Sequence, residues 1–126
     1  MSSNVRALEA VLRSDLASFI EKAQKELQPA KTFVPGPHIE AIAWYLEQCR
    51  TGKIKRLIIN VPPRYLKSVC ASVAFPAFVL GHDPTKRIIC LSYGDGLAGS
   101  LSRDCKAIMK TEFYRRLFPE IGRAHV

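Results

Sequence analysis

The chain has 126 residues, enough for one domain and no more. Hydrophobic residues make up 48% of it and charged residues 24%, proportions that are typical of a folded globular protein and exclude a disordered or fibrous one. No apolar run approaches the ~20 residues of a transmembrane helix, and the N-terminus lacks the apolar segment of a secretory signal, so we predict a soluble intracellular protein.

The chain is basic, with a formal net charge of +8 and a pI near 9.6. One cluster of cations runs from Arg50 to Lys67 without an acidic residue, and a second runs from Arg103 to Arg116 with two acids among its cations. Such clusters favour a polyanionic partner, either a nucleotide or a nucleic acid. A solvated basic face without a partner is the alternative.

Four cysteines are spread through the chain: Cys49, Cys70, Cys90 and Cys105. None of them forms a C-x-x-C pair, so we expect neither a zinc site nor a disulfide framework. Reduced thiols that pack as small hydrophobic side chains are the better interpretation.

Apolar residues recur at helical spacing over residues 4–27, with charged residues on much of the opposite face. This pattern predicts one amphipathic helix, which Pro29 ends. Pro37 suits the first turn of a second helix, which we expect to run to about Arg50. Gly52 is expected to close that helix, because glycine is favoured just past a helix end.

The second helix carries two adjacent aromatic residues, Trp44 and Tyr45. Such a pair can stack on a base of a nucleic acid, but packing in the core is commoner, and we expect the core for both rings. The residues that we expect to face inward are Ile39, Ile42, Ala43 and Leu46.

Two short runs rich in β-branched residues, 56–61 and 87–93, are predicted to be buried strands. A helix is predicted after each of them, at 68–80 with a kink at Pro76 and at 95–111. The order β-α-β-α predicts parallel strands with helical crossovers, and hence an α/β fold. Two strands do not make a stable parallel sheet with both faces covered, so either further strands follow in the full protein, which we favour, or the chain is not a complete domain.

The loop V-P-P-R-Y-L-K-S, residues 61–68, joins the first predicted strand to the helix after it. A triphosphate at such a junction needs backbone N–H groups and a helix N-terminus, a lysine for its terminal phosphates and a hydroxyl for Mg²⁺. Lys67 and Ser68 supply the last two in the right order, and Arg64 adds a forked cation. Both glycines of the general pattern G-x-x-x-x-G-K are absent, so a proline turn with an exposed lysine is the alternative.

Further segments accompany this loop in a fixed order. I-I-N-V precedes it, and F-P-A-F-V-L-G, a D-P turn, a segment ending in S-Y and followed by L-A, and Y-R-R-L-F-P come after it. From about Phe33 to Pro119, this order of segments closely resembles the ATPase domain of phage terminase large subunits. The ordered series is far more specific than any single motif within it.

The resemblance implies a partial P-loop NTPase fold of the helicase-like (ASCE) type. Such a fold is a parallel sheet with flanking helices, preceded here by an N-terminal helical segment. The chain then divides into an N-terminal helix and linker at 1–32 and the front part of the ATPase domain at 33–119. Residues 120–126 resemble the translation of a sequencing-library adapter, and we assign them no role.

The implied function is the ATP-binding part of a viral DNA-packaging motor, which couples ATP hydrolysis to movement of double-stranded DNA into a procapsid. The implied partners are double-stranded DNA, the small terminase subunit and the portal protein, with a homo-oligomeric ring for the full-length subunit. Full-length terminases also carry a nuclease domain, and they act in the cytoplasm of the bacterial host, at the portal. The chain contains no apolar run ending in Asp-Glu, so we expect this piece alone to hydrolyse ATP poorly or not at all.

The resemblance also assigns a nucleotide site. The implied catalytic residues are Lys67, which contacts the β- and γ-phosphates, and Arg64, which stabilises charge in cis during phosphoryl transfer. Ser68 is the implied Mg²⁺ ligand. Phe33 and His38 are the implied lining of the adenine pocket, and packing of a helix-start histidine against the fold is an equal alternative for His38. The loop residues Pro63, Tyr65 and Leu66 complete the ATP-binding set.

Some other interpretations stay open. A G-x-G-x-x-G sequence at 94–99 has the setting of a dinucleotide-binding fingerprint, but no buried strand ends in an acid at the required distance, so a tight turn is preferred. In the terminase interpretation, Ser92 and Tyr93 lie near the nucleotide cleft.

The other candidate functions are another P-loop translocase or helicase, and a basic DNA-binding module without catalysis. A test of nucleotide binding distinguishes the DNA-binding module, which should not bind ATP specifically, from the terminase and the other P-loop proteins, which should.

Overall fold

The computed structural model of the chain describes residues 3–30, 37–60, 69–89 and 95–119. Helices dominate these ranges. In chain order the elements are α1 (Ser3–Ser14), α2 (Leu16–Leu27), α3 (Pro37–Arg50), the π-helix π1 (Val69–Ala74), α4 (Phe75–His82), α5 (Asp95–Lys110) and α6 (Glu112–Leu117).

The predicted α/β fold with a P-loop NTPase sheet is wrong, because the described residues form helices and connecting segments and none of them belongs to a strand. The two predicted strands have no regular secondary structure over 56–60 and 87–89, which are their described parts. A β-branched run is stable as a buried strand only if neighbouring strands bond its backbone and other elements cover its faces. Among the described residues nothing does so, and the side chains of Ile58 and Ile89 are 85% and 84% exposed.

The helix predicted over residues 4–27 is instead two helices, α1 and α2, which are separated at Asp15. Asp15 has an extended backbone, and its carboxylate accepts hydrogen bonds from the N–H and the hydroxyl of Ser18, at 3.3 and 2.6 Å. An aspartate that caps a first turn in this way starts a new helix. Hydrophobic periodicity continues across the break, so the apolar pattern does not reveal it.

The later helices begin and end close to their predicted positions. The prediction of α3 is confirmed, and Gly52 follows it with a positive φ of 86°. The predicted kink at Pro76 takes the form of a change in helix type, because π1 continues directly into α4 at Phe75. Proline has no N–H to donate, and the wider π-turn before it accommodates the shift in hydrogen bonding.

The core forms where α2 meets α4 and α6. Phe19 of α2 is fully buried, and the rings of Phe78, Phe113, Tyr114 and Phe118 surround it at centroid distances of 5.2–6.4 Å. Tilted and edge-to-face aromatic pairs each contribute ~0.5–1.5 kcal/mol beyond the burial of their surface. Aliphatic side chains fill the rest of the core: Leu12, Leu16, Ile20, Ala23, Ile39, Ile42, Ala43, Leu46, Val73, Ala74, Ala77, Ile108 and Leu117.

Two close contacts attach α6 and the residue after it to α4. The buried Tyr114 hydroxyl donates a hydrogen bond of 2.7 Å to the carbonyl oxygen of Ala77. The ring of Phe118 lies over Gly81, where a Cβ atom would come within 2.5 Å of it. Glycine therefore lets the aromatic ring approach the α4 backbone.

Hydrogen bonds to backbone carbonyls attach the end of α1 to the same region. Arg13 Nε donates to the carbonyl oxygen of Leu117 at 2.9 Å, and His82 Nε2 lies 2.7 Å from the carbonyl oxygen of Arg13. The His82 ring packs against the rings of Phe78 and Phe118, at 4.6 and 5.3 Å. Partial desolvation lowers the pKa of the imidazole, which is still exposed on one side, and the neutral ring donates to the carbonyl oxygen of Arg13 with its proton on Nε2.

We expect Gly81→Ala to lower the free energy of unfolding by about 1–3 kcal/mol, because the new Cβ would clash with the Phe118 ring. Urea denaturation measures this change. Gly99→Ala is the control, since its Cβ would meet only the flexible end of Arg103 at 3.3 Å and alanine favours a helix over glycine by ~1 kcal/mol. Equal stability of the two variants would contradict the packing of Phe118 on Gly81.

We expect Tyr114→Phe to lower the free energy of unfolding by about 1–2 kcal/mol, because the buried Ala77 carbonyl loses the hydrogen bond from the phenol. Burial also raises the pKa of the Tyr114 phenol well above its ordinary value. The folded state then holds the phenol proton more tightly than the unfolded state, so this contribution is complete below about pH 10 and is lost as the pH rises further.

Denaturation of both proteins at neutral pH and at about pH 11 tests this linkage. The parent chain should lose more stability than the Tyr114→Phe variant over that interval. An identical loss in the two would show that the phenol is not protected from ionisation.

Candidate nucleotide-phosphate site

The structure describes one of the residues that the sequence assigns to the nucleotide site, His38. The other assigned residues lie outside the described ranges: Phe33, Pro63, Arg64, Tyr65, Leu66, Lys67 and Ser68. Ser92 and Tyr93 lie outside them as well. The assigned contacts with ATP and Mg²⁺ therefore stay predictions.

The chain after the predicted phosphate-binding loop is described from Val69 onward. From that residue a helical run extends through π1 and α4 to His82, with α-helical backbone angles at the junction residue Ala74 (φ −71°, ψ −44°). A helix N-terminus carries partial positive charge on N–H groups that have no intrahelical partner. The helix start directly follows Lys67 and Ser68 in the sequence, which is the order that phosphate binding needs.

The core holds this helical run in place. Val73, Ala74, Ala77 and Phe78 are fully buried on one face of it. Tyr114 and Phe118 cover the same face through their contacts with α4. The run cannot turn about its axis without breaking these contacts, so the core fixes its orientation.

His38 is the second residue of α3 and is half-buried. The next residue, Ile39, is buried in the core. An adenine pocket also needs Phe33, which lies outside the described ranges, and it stays a prediction.

A cleft of about 480 Å³ opens beside the helical run. It lies between the end of α3, one side of π1 and α4, and residues 86–89. Phe75, Val79, Ile88 and Ile89 give it apolar walls, and Lys86 and Arg87 also line it. The sequence did not indicate this cleft, because a predicted strand over 87–93 places both isoleucines inside a sheet.

Arg50 also lines the cleft, but its charge is paired. Its Nε and Nη2 atoms donate to the two carboxylate oxygens of Glu47 at 2.6 and 3.0 Å, and these hydrogen bonds raise the pKa of Arg50. The guanidinium carbon lies 5.7 Å from the centroid of the Phe78 ring. Arg50 therefore adds less to the first basic cluster than its position in the sequence indicates.

The second basic cluster is a solvent-exposed surface of α5 and α6, which we call the α5–α6 basic surface. Its members Arg103, Lys106, Lys110, Arg115 and Arg116 are all exposed. The first three are spaced three and four residues apart, so they lie on one side of α5. In the part of α6 that the structure describes, Arg116 Nε lies 4.0 Å from a carboxylate oxygen of the exposed Glu112. An exposed ion pair of that length contributes little.

The expectation that Trp44 and Tyr45 pack in the core is wrong. Their side chains are 58% and 46% exposed, and the rings form an edge-to-face pair with centroids 5.0 Å apart. The buried face of α3 consists of Ile39, Ile42, Ala43 and Leu46, as predicted. Residues 44 and 45 fall outside that stripe, so the helical spacing already contained the signal for their exposure.

Cys49 and Cys105 are half-buried, so the expectation of buried cysteines is too strong for these two. The side chains of the other two cysteines are not among those described. Among the described residues, no three His, Cys, Asp or Glu side chains are grouped so as to hold a metal ion.

A scan against protein-family models finds no match to this chain, and searches of curated proteins and of solved structures find no significant match. The resemblance to terminases therefore depends on the sequence segments themselves. Every helix within the described ranges is too short or too polar to cross a lipid bilayer.

Proposed function

We propose that this chain is part of the large subunit of a viral DNA-packaging terminase, and that Arg64, Lys67 and Ser68 bind the phosphates and Mg²⁺ of ATP. The observation that carries this proposal is the helix that begins at Val69, directly after the lysine and the serine. An ammonium group, a hydroxyl and a helix N-terminus in this order are the groups that bind a magnesium–triphosphate.

The packing of the terminase-like segments against one another also supports the proposal. Tyr114 and Phe118 belong to the Y-R-R-L-F-P segment, and they contact Ala77 and Gly81 of the F-P-A-F-V-L-G segment. The ordered motifs therefore correspond to one packed unit, and α4, which that unit contains, continues from the helix start at Val69.

The parallel sheet of a P-loop NTPase is not part of this proposal, since the described residues contain no strand. What we propose is phosphate binding by the loop and the helix after it, within a motor that moves double-stranded DNA into a procapsid. The small terminase subunit, the portal protein and other copies of the large subunit are its proposed partners, in the cytoplasm of the bacterial host. Because the chain has no apolar run ending in Asp-Glu, we propose that it binds ATP but turns it over slowly.

A specific observation favours a second candidate, a helical DNA-binding module without catalysis. The described residues are helical, and the α5–α6 basic surface presents five exposed cations to solvent. Lysine and arginine side chains on an exposed helical surface bind DNA phosphates by displacing condensed counterions. This function needs neither Lys67 nor Mg²⁺.

We expect the chain to bind Mg–ATP in isothermal titration calorimetry, and we expect Lys67→Ala to weaken binding by at least about tenfold, because the terminal phosphates lose a charge-assisted contact. Lys106→Ala is the matched control, since it removes the same charge from the exposed α5–α6 basic surface and should leave the affinity unchanged. Absence of Mg–ATP binding by the parent chain, or equal binding by the Lys67→Ala variant, would reject the ATPase function and favour the DNA-binding module. Rapid ATP hydrolysis that depends on Lys67 would contradict the expected slow turnover.

For binding of duplex DNA, we expect the double variant Lys106→Ala/Lys110→Ala to have a shallower dependence of affinity on salt. Each phosphate contact that is lost should reduce the slope of log K against log[salt] by ~0.9. Fluorescence anisotropy with a labelled duplex at several salt concentrations measures the slope. The pair Lys22→Ala/Lys25→Ala on α2, where Lys22 is half-buried and Lys25 exposed, removes the same charge as a control. An equal effect of the two pairs would show that no particular surface binds DNA.

A further inference from the structure

The cleft beside the helical run has an apolar wall that the described residues leave open. Ile88 and Ile89 line the cleft, and their side chains are 40% and 84% exposed, although isoleucine is among the residues most often buried. Phe75 and Val79 line the opposite side and are half-buried. Contiguous exposed apolar surface with a charged edge is typical of a site where another polypeptide docks.

The backbone beside this wall has no backbone partner among the described residues. Within the described ranges, no N–H or C=O group of residues 87–89 bonds to another backbone group, whereas Lys86 N–H donates to the carbonyl oxygen of Asp83 at 3.2 Å. Backbone groups of this kind normally find a partner when they become covered. A segment with available backbone next to apolar side chains fits the addition of an extended peptide, which pairs with the backbone and places alternate side chains in the cleft.

The charges around the cleft are positive. Lys86 and Arg87 line it and are exposed, while Arg50 is paired with Glu47. The nearest acid in the sequence, Asp83, is engaged in its own turn, where its carboxylate accepts two hydrogen bonds. A partner with carboxylates would therefore be complementary, and a basic partner would be repelled.

We propose that the cleft binds an extended peptide segment in which β-branched and acidic residues alternate. Its apolar side chains contact Phe75 and Ile88, its backbone pairs with residues 87–89, and its carboxylates face Lys86 and Arg87. A small molecule fits less well, because ligand pockets usually enclose ~70–90% of their ligand and this cleft is open along one wall. This proposal names other residues than the proposed binding of ATP, and neither proposal depends on the other.

Fluorescence anisotropy with labelled, end-capped hexapeptides tests the proposal on the full chain. The probe alternates valine with aspartate, and three matched peptides replace aspartate by serine, replace aspartate by lysine, or carry N-methyl groups on the backbone of the acidic sequence. We expect the acidic peptide to bind at least about tenfold more tightly than each of the other three. Equal binding of the serine peptide would rule out charge selection, equal binding of the N-methylated peptide would rule out backbone pairing, and no binding of any peptide would overturn the proposal.

Variants of the chain locate the site. Lys86→Glu/Arg87→Glu and, separately, Ile89→Ser should each weaken binding of the acidic peptide by at least about tenfold, and both change exposed side chains, so the fold should persist in circular dichroism. Lys106→Glu/Lys110→Glu makes the same charge change on α5 and should leave the affinity unchanged. An equal loss in that control would show general attraction by a basic protein. Self-association in sedimentation that Ile89→Ser abolishes would show that a second copy covers the cleft, and would also overturn the proposal.

Discussion

Phe19, fully buried on α2, contacts aromatic rings of α4, α6 and the residue after α6, and so connects the first part of the chain with the last. The Tyr114 hydroxyl and the Phe118 ring then fix α6 against the backbone of α4. Because α4 continues from π1 without a break, this aromatic cluster also holds the helical run that is described from Val69 onward. A phosphate site at the start of that run would depend on packing at its other end.

The sequence predicts the helices well and the strands wrongly, and the two outcomes have one physical cause. A helix satisfies its own backbone hydrogen bonds, so the local apolar period identifies α3 and α5 without knowledge of their neighbours. A strand needs partners elsewhere in the chain, and the described residues supply none to the β-branched segments around Ile58 and Ile89. The break between α1 and α2 can be predicted only from the capping carboxylate of Asp15, because the apolar pattern continues across it.

The candidate site could also be predicted only in part from the sequence. Residue types and order predict which groups would bind a triphosphate, since Lys67 and Ser68 precede a helix that the structure does contain. The cleft beside α4 was not predictable, because it depends on where residues 86–89 lie relative to α3 and π1. The exposure of Trp44 was predictable from helical spacing. The prediction failed because it followed the general preference of aromatic rings for the core instead.

Hydrogen–deuterium exchange with and without saturating Mg–ATP tests the central claim most directly, because it reports on the amides at the start of the helical run. Phosphate oxygens bound there should slow the exchange of amides in π1, Val69–Ala74, and leave those in the middle of α5 unchanged. The protection should disappear in the Lys67→Ala variant. Unchanged exchange in π1 of the parent chain, or protection that persists in that variant, would contradict the claim that this helix start and its preceding lysine bind a nucleotide.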